Sequence, residues 1–116
     1  MDINNKILSD VTVFMKYAKY LPKEQRRETW EEIVLRNKNM HLKHYPSQSE
    51  HIEWAYTYVL NKKVLPSMRS MQFAGVASEI NPARLFNCSF MAVNDIRCFQ
   101  EAMFLLLSGC GKLKTL

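Results

Sequence analysis

Apolar positions recur at helical spacing in three stretches of the chain, and that period fades between them. Trp30, Ile33, Val34, Asn37 and Met40 fall on one face, since residues three and four apart stack on the same side of an α-helix. Thr29-Trp30-Glu31-Glu32 opens this stretch as a capping box: the Thr29 hydroxyl and the Glu32 carboxylate can satisfy each other's backbone N–H groups. A helix is therefore predicted to start there. Just upstream, Leu21-Pro22-Lys23-Glu24 reads as a turn of its own, because proline is tolerated at a first helical position.

A second helix is predicted after Ser47-Gln48-Ser49-Glu50, which has the same capping-box pattern. Its apolar face is Ile52, Ala55, Tyr56, Val59 and Leu60. Lys62 and Lys63 suit the negative end of its dipole, and Tyr45-Pro46 marks the turn before it. A third helix is expected from Asn94 or Asp95, either of which can cap it, with Phe99, Ala102, Met103, Leu106 and Leu107 on a broad apolar stripe. Gly109-Cys110-Gly111 ends it, glycine supplying the left-handed conformation with which helices commonly stop.

Residues 11–21 carry two patterns. Val11, Val13, Met15 and Tyr17 alternate like a strand, while Phe14, Ala18 and Leu21 fit a helix; the length of the stretch favours helix. Beyond Pro66 the apolar pieces shorten and are broken by Asn81-Pro82 and Asn94-Asp95, as expected of short strands and loops. The three stripes together place Trp30, Ile33, Val34, Ile52, Tyr56, Val59, Phe99, Met103 and Leu106 in a shared core.

Composition narrows the class. With 116 residues, 47% hydrophobic and 23% charged, the chain suits one small soluble globular domain. The longest uncharged apolar stretch, residues 102–109, is far short of the about 20 residues a membrane helix needs. Asp2 and the lack of an apolar run near the start argue against a secretory signal. The expectation is a cytoplasmic protein with no membrane partner. The net charge of +5 is spread over basic residues that have acidic neighbours. That describes a solvated helical face rather than the concentrated basic stripe of a nucleic-acid surface.

Cys88, Cys98 and Cys110 are odd in number and widely spaced, which fits neither a disulfide framework nor paired zinc ligands. Reduced thiols are expected. His41 and His44 could share a helix face, yet no Cys, Asp or Glu cluster completes a metal site around them, and His51 stands apart. No metal site is predicted. Glu31, Glu32, Glu50 and Glu53 are accounted for by capping and surface roles.

Three motifs carry more. They are Leu65-Pro66-Ser67-Met68-Arg69-Ser70-Met71-Gln72-Phe73-Ala74-Gly75, then Asn87-Cys88-Ser89-Phe90, then Phe104-Leu105-Leu106-Leu107-Ser108-Gly109-Cys110-Gly111. In order and spacing they resemble the catalytic chain of ribonucleotide reductases. Arg26-Arg27-Glu28-Thr29-Trp30-Glu31-Glu32-Ile33-Val34 is similar to the N-terminal helical region of the adenosylcobalamin-dependent, phage-like class.

The resemblance implies an α+β fragment, mostly helical: an N-terminal helical region over residues 1–63, then the start of an α/β barrel over residues 64–111. It implies that Cys88 is a redox cysteine feeding electrons to the substrate ribose. It further implies that Ser70, Asn87, Ser108 and Gly109 hold the nucleotide, the glycine allowing close backbone approach. The parent reaction replaces the ribose 2′-hydroxyl by hydrogen, with adenosylcobalamin generating the radical; no cofactor is expected on this piece itself. Residues 112–116 depart from the family wording, and the radical cysteine, the redox partner of Cys88 and the catalytic glutamate and asparagine are not among the residues present. The chain is thus expected to be inactive alone, with a ribonucleotide and a complementary reductase fragment as partners. The competing reading is a non-catalytic interaction module derived from a truncated reductase. If the gene is of phage origin, the compartment is the host cytoplasm.

Overall fold

The computed structural model describes residues 3–110 and the backbone of residues 112–114. Its contacts divide the chain into two compact units, Met1–Gln72 and Phe73–Leu116. The fold is mostly helical.

In the first unit, α1 (Ile3–Lys16) is followed by a hairpin of β1 (Tyr20–Leu21) and β2 (Arg26–Arg27), then by α2 (Trp30–His44) and α3 (Ser49–Leu60). Residues 11–21 therefore split, helical to Lys16 and extended at Tyr20-Leu21. The strands pair antiparallel, Tyr20 with Arg27 and Leu21 with Arg26, across the turn that begins at Pro22.

The capping box of α2 forms as predicted. Thr29 Oγ1 accepts from the Glu32 N–H at 3.4 Å, and Glu32 Oε2 accepts from the Thr29 N–H at 2.7 Å. Ile33, Val34, Asn37 and Met40 are buried on the predicted face. Trp30 packs at the edge of the core, and its Nε1 donates to the Leu60 carbonyl at 3.0 Å.

The second capping box does not form. Pro46 starts a 3₁₀ turn over Pro46–Gln48, and the cap position of α3 falls on Gln48, without a side-chain bond. Proline's fixed φ suits a first helical position, so Ser47 is taken into the turn and lacks the extended backbone that a capping serine needs.

Ala18, Ile33, Val34, Val59 and Met71 form the core of this unit, with Val13, Tyr17, Trp30 and Tyr56 packed against it. Ile52 is only half-buried, and Ala55 and Leu60 are exposed. A buried ion pair ties the hairpin region to α2: Arg36 Nε and Nη2 each donate to Glu28 at 2.9 Å. Glu28 Oε2 also accepts from the Lys19 N–H at 3.0 Å, and Arg36 Nη2 donates to the Tyr17 carbonyl at 3.4 Å.

Directly after Pro66 the chain is helical rather than strand and loop, forming α4 (Met68–Phe73) and then α5 (Val76–Ile80). Met, Arg and Gln are good helix formers, which outweighs the shortness of the apolar pieces. Between these helices Gly75 has φ 98° and ψ −143°, a conformation that a side chain would obstruct.

In the second unit a 3₁₀ turn (Pro82–Leu85) leads to β3 (Cys88–Phe90), α6 (Arg97–Leu107) and β4 (Lys112–Lys114). The two strands pair in parallel, Cys88 with Lys112, Ser89 with Leu113 and Phe90 with Lys114. Parallel neighbours need a crossover, usually a helix, and α6 supplies it. Residues 112–114 thus form a strand.

The start of α6 differs from expectation. Its cap position is Ile96, which offers no side-chain cap, while Asp95 Oδ1 accepts from the Arg97 N–H at 3.4 Å. Its predicted core face is also wrong: Phe99, Met103 and Leu106 are 66%, 58% and 47% exposed. Cys98 is buried instead, with Ala102 and Leu105 half-buried on the same side. A helix apolar on nearly every side announces its period but not its inward face. Gly109, at φ 96°, follows its last turn as predicted.

Among the described residues no helix is long and apolar enough to cross a membrane.

Candidate functional site

Four of the five residues singled out by sequence lie in the second unit, on two short segments. Asn87 and Cys88 stand at the entry to β3, both exposed. Burial alternates along the strand, with Ser89 half-buried between exposed Cys88 and Phe90, as the pleat requires. Among the described residues the Ser89 hydroxyl oxygen is buried without a hydrogen-bond partner. Ser108 and Gly109 close α6.

Two side chains tether these segments. Asn81 Oδ1 accepts from the Ala83 N–H at 3.0 Å, opening the 3₁₀ turn, and its Nδ2 donates to Ser108 Oγ at 3.4 Å. Cys110 Sγ donates to the carbonyls of Phe86 and Ala83 at 3.4 and 3.5 Å. The loop that delivers Asn87 and Cys88 is thereby fastened to the helix end that carries Ser108 and Gly109. Sequence reasoning passed over Asn81 and Cys110. Asn81 stood next to Pro82 as a turn signal, and only its partner at Ser108 lay beyond reach of local pattern.

All three cysteines are free thiols: Cys88 is exposed, whereas Cys98 and Cys110 are buried. Only an accessible thiol can exchange with another sulfur, so Cys88 is the one positioned for chemistry. Cys98 fills space on the inner side of α6, and Cys110 pins the turn.

Ser70 belongs to the first unit, where it is buried in α4. Its Oγ accepts from Asn37 Nδ2 at 2.7 Å, and Asn37 Oδ1 accepts from the Tyr56 hydroxyl. Burial pushes the Tyr56 phenol up to about 12. It lowers His41 below the ordinary histidine value, helped by the positive charge of nearby His44. Among the described residues no group of three or more His, Cys, Asp or Glu is placed to hold a metal ion.

The grooves of the first unit are apolar. One of about 610 Å³ is lined by Trp54, Tyr58, Val59, Val64, Leu65 and Pro66, and another of about 440 Å³ by residues that include Leu8, Trp30, Lys62, Met68 and Met71.

Comparison with protein-family models, with curated proteins and with solved structures found no match to the chain.

Proposed function

We propose that this chain is the N-terminal portion of a ribonucleotide reductase catalytic chain of the adenosylcobalamin-dependent class, holding the start of its α/β barrel. The observation that carries the reading is the exposed Cys88 thiol at the head of β3, next to a loop fastened to the Ser108-Gly109 helix end. A reductase needs one thiol that touches the ribose and a backbone segment that lies close to the nucleotide. The three motifs carry those residues in the family's order.

In this role Cys88 gives up its thiol proton and one of the two electrons that leave when it joins a second cysteine in a disulfide. The second thiol comes from the remainder of the catalytic chain. The two electrons replace the C2′–OH bond of the ribose by C2′–H, and the hydroxyl departs as water. Adenosylcobalamin supplies the initiating radical in such enzymes. The reading entails a cytoplasmic setting with reduced thiols, the host's if the gene is phage-borne.

A second reading, a non-catalytic module that docks a complementary reductase fragment, is favoured by one observation. The outer side of α6 exposes Phe99, Met103, Phe104, Leu106 and Leu107, more apolar surface than a helix of a finished domain leaves uncovered.

Co-expression with the complementary C-terminal portion of such a reductase, followed by an assay of deoxynucleotide formation, tests both. Turnover is expected from the pair and from neither part alone. Cys88→Ser is expected to abolish turnover with thiol reductants while Cys98→Ser keeps most of it. Equal activity of Cys88→Ser and wild type would overturn the redox role, and association without turnover would favour the module.

A further inference from the structure

Ser70 enters the reductase reading as a residue that holds the nucleotide, yet its oxygen is already engaged by a buried neighbour. Asn37, in the middle of α2, is 0% exposed. Its amide joins two groups far apart in sequence, accepting from the Tyr56 hydroxyl on α3 and donating to Ser70 Oγ on α4.

The chain of bonds has a direction. A protonated phenol facing a carbonyl oxygen can only donate, and Tyr56 stays protonated throughout the physiological range because burial raises it to about 12. Asn37 turns its oxygen towards Tyr56 and its NH₂ towards Ser70. The serine oxygen is then the acceptor, so its own proton must point away from Asn37. Among the described residues no acceptor takes that proton, and Ser70 keeps 9% of its surface exposed. Hydrogen bonds aligned head to tail also polarise one another, which strengthens the last donor in the series.

We infer that Asn37 and Tyr56 are positioning residues for Ser70, turning its hydroxyl into an outward hydrogen-bond donor for an acceptor oxygen of the nucleotide, first of all a phosphate oxygen. The assignment rests on the reading of Ser70 as a nucleotide-holding residue. It adds the polarity of that contact and the two residues that set it. Neither Asn37 nor Tyr56 touches the nucleotide.

The test uses the full 116-residue chain, titrated with a ribonucleoside triphosphate and followed by amide NMR shifts, with thermal melts run alongside. Ser70→Ala is expected to weaken the nucleotide about tenfold, the loss of one hydrogen bond to a charged acceptor. Tyr56→Phe frees the Asn37 amide to flip, letting Ser70 donate inward, and is expected to weaken binding by a similar factor. The double variant is expected to bind no worse than Ser70→Ala alone, a non-additivity that a merely structural role would not produce. Should Tyr56→Phe fail to fold, Asn37→Asp asks the same question, because it replaces the donating NH₂ by an acceptor and draws the serine proton inward.

Unchanged affinity in Ser70→Ala, or additive losses in the double variant, overturns the positioning role while the reductase reading stands. A folded wild-type chain with no nucleotide-induced shifts overturns the nucleotide-holding role of Ser70 and this assignment with it.

Discussion

The two units of this chain solve the problem of burial differently. Met1–Gln72 closes around Ala18, Ile33, Val34, Val59 and Met71 and fastens its polar interior with Glu28–Arg36 and Tyr56–Asn37–Ser70. Phe73–Leu116 buries small or slender side chains, Ala74, Ser78, Cys98 and Cys110, and leaves Phe86, Phe90, Phe99 and Phe104 at least 60% exposed. Its parallel pair has two short strands, whereas parallel sheets are found almost only with both faces covered. A β-α-β piece of this size has the hydrogen-bonded backbone of an α/β fold without the layers that would cover it. The difference teaches that helical periodicity and a finished core are separate achievements, since α6 has the first without the second.

The sharpest break of that comparison is a matched pair of truncations. Ile33→Ala, at a side chain with 0% exposure, is expected to cost about 2–5 kcal/mol in urea unfolding. Leu106→Ala, placed in the core by its spacing but 47% exposed, is expected to stay within about 0.5 kcal/mol. Comparable losses would mean that the outer side of α6 is covered after all.

The polar interior of the first unit gives the next effect. Glu28 and Arg36 have side chains only 7% and 15% exposed, and removing one partner of a buried pair strands the other. Glu28→Ala is therefore expected to lose about 3 kcal/mol, and the double variant with Arg36→Met is expected to recover part of it. Arg26, paired with Glu32 on an exposed surface, should give a much smaller change, sensitive to salt. A Glu28→Ala chain as stable as wild type would show that the pair contributes nothing to holding the hairpin on α2.

What sequence could foresee follows the range of the interaction. The Thr29–Glu32 box and the Ile33, Val34, Asn37, Met40 face were legible because each spans only a turn or a few turns of one helix. The Ser47–Glu50 box failed through an equally local rival, Pro46, which claims the backbone first. Asn37 was legible as an inward position, but its partners lie 19 and 33 residues away, and no periodicity encodes them. Likewise Asn87, Cys88, Ser108 and Gly109 were picked out by family wording, while the tethers that join their segments, Asn81–Ser108 and Cys110–Phe86, are side-chain bonds across 27 and 24 residues. The strand at residues 112–114 escaped for the same reason, since its register with β3 is set across the whole crossover.

Thiol labelling sharpens the contrast at finer scale. Native chain treated with iodoacetamide should be alkylated at Cys88 first, because Cys98 and Cys110 are buried. Labelling of the latter two then reports opening of the second unit. With little packed apolar surface to resist it, that opening is expected at lower denaturant than loss of amide protection at Ile33. Peptide mass spectrometry across a urea series reads both. Cys98 labelled as fast as Cys88 in the absence of urea would contradict the burial of α6's inner side.

The smallest effect separates the two helix starts. At α2 the Glu32 carboxyl is held down to about 2 from 4.5, chiefly by its bond to Arg26 and then by the Thr29 N–H, whereas α6 begins on Ile96 with no side-chain cap. A carboxyl whose folded value is depressed stabilises the fold above its unfolded value, and that contribution is lost as pH falls towards the folded one. The melting temperatures of wild type and Glu32→Gln should therefore differ most above about pH 4.5 and converge as pH approaches about 2. The Glu32 side chain is 35% exposed, so added salt should shrink the gap. A gap that persists unchanged to acid pH would mean that Glu32 acts through packing rather than through its charge.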